Sequence, residues 1–168
     1  MEKFNLMQYY LLFLSLFLSI NSFCQLIKGK VVRIADGDTI TILDSTKTQY
    51  RVRLYGIDCP ENGQDFANVA KQFTSDLCFS KIVTVDVKDT DRYGRTVGVV
   101  WTSDSINVNL ALLKSGLAWH YKMFDKSKEF AQAEHLAKLF KYGLWVQPNA
   151  VRPAEYRRNK KLGFTRQV

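Results

Sequence analysis

The feature that most constrains this chain is a set of three short β-branched runs separated by turns of hairpin length. Residues 27–34, 39–43 and 49–55 are rich in Ile, Val, Thr and Leu, and the links at Ala35-Asp36-Gly37 and 44–47 carry turn residues. Parallel neighbours need a crossover of a dozen or more residues, so links this short demand an antiparallel meander. In the third run Val52 and Leu54 alternate with Arg51, Arg53 and Tyr55, which puts the arginines on one face of a strand. The period then changes. Phe66, Val69, Ala70, Phe73 and Leu77 recur at helical spacing and predict a helix over 65–79. Two further strands are read at 82–87 and 96–101, joined by the polar stretch 88–95. A second helix is expected over 107–115, capped by Asn107 and stopped by Gly116. A third is expected over 129–142, with Phe130, Ala133, Ala137 and Phe140 inward and Gly143 at its end.

Five strands with a helix between the third and fourth fit a small closed barrel of the OB type, with three helices packed against it. The expected class is α+β, mainly β. Trp101 and Trp145 are expected in the core. Residues 148–168 lack an apolar period and read as a surface-hugging or loose basic tail. The apolar content of 46% excludes wholesale disorder, and three Cys are too few for a disulfide-stapled mini-protein.

The start of the chain differs from the rest. Lys3 precedes an apolar run from Tyr9 to Ile20, and Ser22-Phe23-Cys24 gives a small–x–small exit ahead of Gln25. That order matches a secretory leader, and the run is shorter than the roughly 20 residues that span a bilayer. The expected division is a signal peptide over 1–24, one domain over 25–147 and a tail over 148–168, with the product secreted or periplasmic. Export would place Cys59 and Cys78 where they could pair, but Cys78 falls on an apolar helix face where a free thiol is equally at home.

Three segments concentrate chemistry. Asp36-Gly37-Asp38-Thr39 is a hairpin signal that accounts for Asp36 and Gly37 but leaves Asp38 over. It is no EF-hand: Ile40, Thr41 and Lys47 occupy positions that loop reserves for a ligand, a Gly and a bidentate Glu. Arg53-Leu54-Tyr55-Gly56-Ile57-Asp58-Cys59-Pro60-Glu61 brings an Arg, an Asp and a Glu to a strand end and the loop after it. Asp89-Thr90-Asp91-Arg92-Tyr93-Gly94-Arg95 links two strands. Read singly, each has an ordinary explanation as a polar turn. Together, Asp38 and Asp58 are suited to hold a hard cation through oxygen, and Arg53 and Arg95 to bind a phosphate bidentately. Glu61 is left to accept a proton from an attacking water. Cation, clamp and base suffice to cleave a phosphodiester without a nucleophilic side chain.

The ordered set DGDT, RLYGIDCPE and DRYGR resembles the staphylococcal nuclease-like (thermonuclease) family over residues 27–145. The resemblance implies an OB barrel and a nuclease that uses one calcium ion per chain, cuts DNA and RNA by direct water attack and leaves 3′-phosphate ends. It implies Asp38 and Asp58 as side-chain calcium ligands and Cys59 as a ligand through its backbone carbonyl, at a position where the best-known member has Thr. It assigns Arg53, Glu61 and Arg95 to catalysis, and Arg92 and Tyr93 to the flanks of the bound phosphate. Tyr121, in the compressed segment Trp119-His120-Tyr121, is the choice for stacking on a base. A monomer is expected.

Two other readings carry less. A catalytically inactive binder on the same fold gains nothing from three carboxylates facing a polyanion. A lipid-binding role would use the basic tail and leave the three motifs idle. His120 and His135 lack a partner motif and read as packing or surface residues. The pI of about 9.4 and net charge of +8 favour an anionic partner. Between Arg152 and Arg166 there are six Lys+Arg and one Glu, so the charge is mostly a property of the tail, and the basic side chains there suit phosphate or water alike.

Overall fold

The computed structural model describes residues 25–163; the expected leader over 1–24 and Arg166 in the tail lie outside the described residues. The chain begins with a meander. Strands β1 (Gln25–Asp36), β2 (Thr39–Leu43) and β3 (Gln49–Leu54) pair antiparallel, with Asp36 opposite Thr39 and Thr39 opposite Arg53. A two-residue strand β4 (Ile57–Asp58) and helix α1 (Ala67–Cys78) follow. Then come β5 (Ile82–Thr90) and β6 (Thr96–Thr102), an antiparallel pair. The barrel closes in the order β1-β2-β3-β6-β5, with β5 returning to β1 and β3 running parallel to β6. This is the expected OB-type barrel, in a mainly β, α+β chain.

Alternation fills it. Val31, Ile40, Ile42, Val52, Leu54, Val83, Val85 and Val100 point inward and are almost wholly buried. Fully burying one such side chain stabilises the fold by about 1.5–3 kcal/mol relative to exposure. Helix α2 (Val108–Lys114) starts where predicted: the Asn107 carboxamide oxygen accepts from Leu110 N at 3.0 Å, and Gly116 (φ +66°) takes the left-handed turn after the helix. Asn109 on α2 is buried and locks the helix to the barrel seam. Its Oδ1 accepts from Val100 N (3.0 Å), and its Nδ2 donates to Tyr55 O (2.8 Å) and Gly98 O (3.3 Å). Strand β7 (Trp119–His120) pairs with β4, and helix α3 (Lys128–Leu139) packs on α2. A 3-10 turn (Gly143–Val146) and helix α4 (Pro153–Lys161) complete the described chain.

Several expectations need correction. There are four α-helices among the described residues, not three, because the tail carries α4. It has Pro153 at its start, Glu155 in the first turn and Arg158, Lys160 and Lys161 in the last. End residues and the helix dipole specify this helix, so an apolar period was not needed. Trp101 is 38% exposed on the outside of β6, since Val100 and Thr102 take the inward positions. Trp145 is half-buried and meets Trp119 edge-on at 5.3 Å. Phe140 is exposed and stacks on Tyr142, because α3 ends at Leu139 before a fourth inward position is reached. Phe130, Ala133 and Ala137 are buried as expected. Cys59 and Cys78 are free and buried. Burial pushes the Cys59 thiol well above its ordinary range and the Cys78 thiol to about 11, so neither is a reactive thiolate.

Candidate active site

Asp38 sits in the two-residue turn between β1 and β2, where Asp36 and α1 hold the backbone. Asp36 Oδ1 accepts from Asp38 N (3.1 Å), and the Thr74 hydroxyl of α1 donates to Gly37 O at 2.6 Å. A Cβ at Gly37 would stand 2.8 Å from the Ala70 Cβ and 2.9 Å from the Cys59 Cβ, so only glycine lets α1 and the next loop approach this turn. The Asp38 carboxylate, 2% exposed, is thereby aimed at β3.

Arg53, directly across from Thr39 in the β2–β3 ladder, meets it. One guanidinium nitrogen, Nη1, pairs with Asp38 Oδ1. The other, Nη2, lies 2.6 Å from Asp58 Oδ1 and also donates to Ile57 O at 3.2 Å. Asp58 is brought there by β4, held against Trp119 of β7, and is 6% exposed. Cys59 N donates to Asp38 Oδ2 at 2.5 Å, which closes the ring. Two buried carboxylates thus converge on one guanidinium. Removing it would leave both charges buried without their partner, at a cost of about 3–5 kcal/mol.

No group of three or more His, Cys, Asp or Glu side chains that could hold a metal occurs among the described residues. Asp38 and Asp58, which share the Arg53 guanidinium, are a pair of carboxylates that could contribute to a metal site. The pair's donors are all carboxylate oxygen, drawn together by a cation's charge, and that chemistry fits a hard divalent ion whose shell is completed by backbone oxygen and water.

Glu61, three residues beyond Asp58, lies in the loop that leads into α1. Its N–H donates to Gln64 Oε1 at 2.8 Å, and its carboxylate, 36% exposed, pairs with Arg157 Nη1 of α4. Arg157 Nη2 also reaches Asp58 Oδ2 at 3.5 Å. Burial works against the Arg157 charge, but Asp58 and Glu61 outweigh it and hold the guanidinium above its ordinary value. In the sequence Arg157 is one of several basic residues suited to phosphate or water alike, and no local signal ties it to Glu61.

Arg95 belongs to a separate unit, the β5–β6 turn. Asp91 is its organiser. One carboxylate oxygen accepts from Tyr93 N (2.9 Å) and Arg95 N (3.0 Å), and the other takes the Arg95 Nε–H at 2.7 Å. Burial pushes the Asp91 carboxyl up, but the Arg95 backbone and guanidinium and the Tyr93 N–H prevail and hold it below its ordinary value. Tyr93 is 68% exposed, with the Arg95 guanidinium 5.6 Å from its ring centre and Arg92 at 4.9 Å; Arg92 Nη2 also donates to the Tyr93 hydroxyl at 2.7 Å. The structure therefore brings Asp38, Arg53, Asp58, Cys59 and Glu61 into one connected cluster. Arg92, Tyr93 and Arg95 form their own unit, at the start of the strand whose Val97 pairs with Arg53.

Tyr121 follows β7, and neither its backbone hydrogen bonds nor its ring contact reaches the cluster. Its N–H donates to Gly56 O at 2.8 Å, and its ring meets Phe124 edge-on at 4.9 Å. His120 is buried, with Nε2 2.8 Å from Asp125 Oδ1 and its backbone N–H on Glu134. It fixes the loop after β7, in keeping with a packing role, and His135 is exposed.

Comparison with known proteins adds an independent line. Residues 51–147 match the family described as staphylococcal nuclease homologue. The chain is 42% identical to Protein ParB of Escherichia coli, over 79% of this chain and 80% of that protein. It is 41% identical to the Micrococcal nuclease of Shigella flexneri, over 80% of this chain and 82% of the relative. An uncharacterized endonuclease of Haemophilus influenzae is 38% identical, over 80% of this chain and 75% of its own length.

Proposed function

The chain belongs to the staphylococcal nuclease homologue family and is a nuclease acting on nucleic acid, and from that premise we propose a calcium-dependent endonuclease that hydrolyses both DNA and RNA to 3′-phosphate ends. The observation that carries this reading is the bridging of Asp38 and Asp58 by Arg53, with Glu61 joined to the same cluster through Arg157. Asp38, Asp58 and the Cys59 carbonyl would hold the ion, which when bound neutralises and polarises a phosphate oxygen. Arg53, held beside both carboxylates, would donate to a phosphate oxygen as negative charge grows in the transition state. Arg95 does the same once it exchanges the Asp91 carboxylate for phosphate, a swap of one anion for another on the same donors. Glu61 takes the proton of the attacking water; the new bond joins that water oxygen to phosphorus, and the bond to the 5′-oxygen breaks. That oxygen leaves as a hydroxyl by taking a proton from solvent, to which Glu61 returns its own. Arg92 and Tyr93 flank the phosphate, and Tyr121 stacks on a neighbouring base.

Secretion or delivery to the periplasm is supported by the apolar run ahead of Gln25; no helix among the described residues is long and apolar enough to cross a membrane. The protein acts as a monomer.

The test is digestion of plasmid DNA and of RNA by the purified protein with calcium, with magnesium or with chelator, followed by end-group analysis. Cleavage of both substrates that needs calcium and leaves 3′-phosphates supports the reading. Binding without cleavage under every condition would sink it in favour of an inactive binder. Glu61→Gln and Arg95→Ala should each lower turnover by about two to four orders of magnitude with the fold intact.

A further inference from the structure

We propose that the C-terminal segment is a strap that positions the catalytic loop, and that Arg157 is the residue that orients Glu61. The inference rests on the reading of Glu61 as the base. Glu61 lies in a loop with little regular structure of its own, so something must hold its carboxylate to within an ångström for base catalysis to work.

A single later stretch of the chain supplies that hold. Gln147 Nε2 donates to Asp65 Oδ2 at 2.6 Å. Gln64, whose Oε1 receives the Glu61 N–H, donates its Nε2 to Val151 O at 3.0 Å. The Tyr156 hydroxyl packs against Gly63 so closely that a Cβ there would lie 2.8 Å from it. Arg157 ends the series on Glu61 itself. These interactions run in order along both segments, from residues 65 to 61 against 147 to 157, as an antiparallel strap laid along a loop. The last one differs in kind: the Arg157 fork spans Glu61 and Asp58, and so fixes the base relative to a carboxylate of the cation pair. A planar, five-donor guanidinium suits that bridging task better than an ammonium group. Arg157 is thus a positioning residue acting through Glu61.

The test measures kcat and KM for Arg157→Met, Arg157→Lys, Glu61→Gln and the double variant Glu61→Gln/Arg157→Met. Amide hydrogen exchange over residues 61–65 is followed alongside. Arg157→Met is expected to lower kcat about tenfold or more, as displacement of a catalytic group does. Its KM should stay within about twofold, exchange in the loop should rise, and Arg157→Lys should recover part of the loss. In the Glu61→Gln background the same change should cost nothing further, since two groups acting as one unit are not additive. An equal loss in both backgrounds, an unchanged kcat or a raised kcat overturns the proposal; a raised kcat would mark Arg157 as a plug. Unimpaired turnover in Glu61→Gln alone overturns the reading of Glu61 as base, and with it the role of Arg157. Should Arg157→Met fail to fold, Gln147→Ala cuts the strap at its other end, and the same rise in exchange and fall in kcat is expected; wild-type values there overturn the strap.

Discussion

Arg53 lies between two carboxylates that have lost most of their water, and this sets what its removal does. In Arg53→Met the aliphatic stem survives but Asp38 and Asp58 face each other without their shared cation. We expect a loss of about 3–5 kcal/mol in urea unfolding without divalent ions, and, on the proposed calcium site, a smaller deficit when calcium is added, because an ion held there would neutralise the same pair. A loss below about 1 kcal/mol would mean that solvent screens the cluster. Asp91 offers a second test at this scale. Its carboxyl is held low in the folded state, so it contributes stability above its unfolded pKa of about 3.9, and that stability is lost as pH falls through the lower folded value. Asp91→Asn should therefore be less stable than wild type at pH 6, and the gap should narrow on acidification below about pH 4; a gap independent of pH would refute the ionic role. Asp38, Arg53, Asp58 and Glu61 are legible in the sequence because they stand in short ordered motifs. Arg157 is not, since its partner Glu61 lies 96 residues away and only docking of α4 joins them.

Elements are legible where local chemistry decides them and obscure where distant packing does. The α2 cap at Asn107 and the hairpin between β1 and β2 are local, and both are where the turn residues put them. Strands β4 and β7 escape a reading of the sequence because two residues carry no period, and their pairing brings together segments from opposite sides of α1, β5, β6 and α2. Trp101 goes astray for a related reason: alternation reports two faces of a strand but not which one a barrel encloses. The elements are tied together by single polar side chains, and Asn109 is the one with most to lose. Asn109→Leu would strip the side-chain partner from Val100 N–H and from Tyr55 O at the parallel seam, while Gly98 O keeps the Tyr55 N–H. At about 1–3 kcal/mol for each buried group left unpaired, thermal unfolding should show a loss of several kcal/mol and a much lowered Tm. An unchanged Tm would mean that water reaches the seam.

For the whole molecule, the distribution of charge matters more than its total. The barrel and first three helices nearly balance, because the two arginines of the motifs are offset by carboxylates beside them. The excess lies on α4 and after it, where Arg158, Lys160 and Lys161 are exposed and point to no partner among the described residues. Because α4 and the stretch before it dock on the loop that carries Glu61, we expect a polyanion that reaches that loop to meet these cations on its way. Neutralising all three to Gln should therefore weaken binding without touching chemistry. Each phosphate left without its cation reduces the slope of log K against log salt by about 0.9 on duplex DNA and about 0.7 on a single strand. The triple variant should flatten that slope by up to about 2.7 on a duplex, raise KM at low salt and leave kcat at the wild-type value. Binding measured across a salt series in chelator, where the proposed calcium dependence predicts no cleavage, reads the slope directly. A slope equal to that of the wild type would show that the tail charge takes no part in holding nucleic acid and is a solvated face.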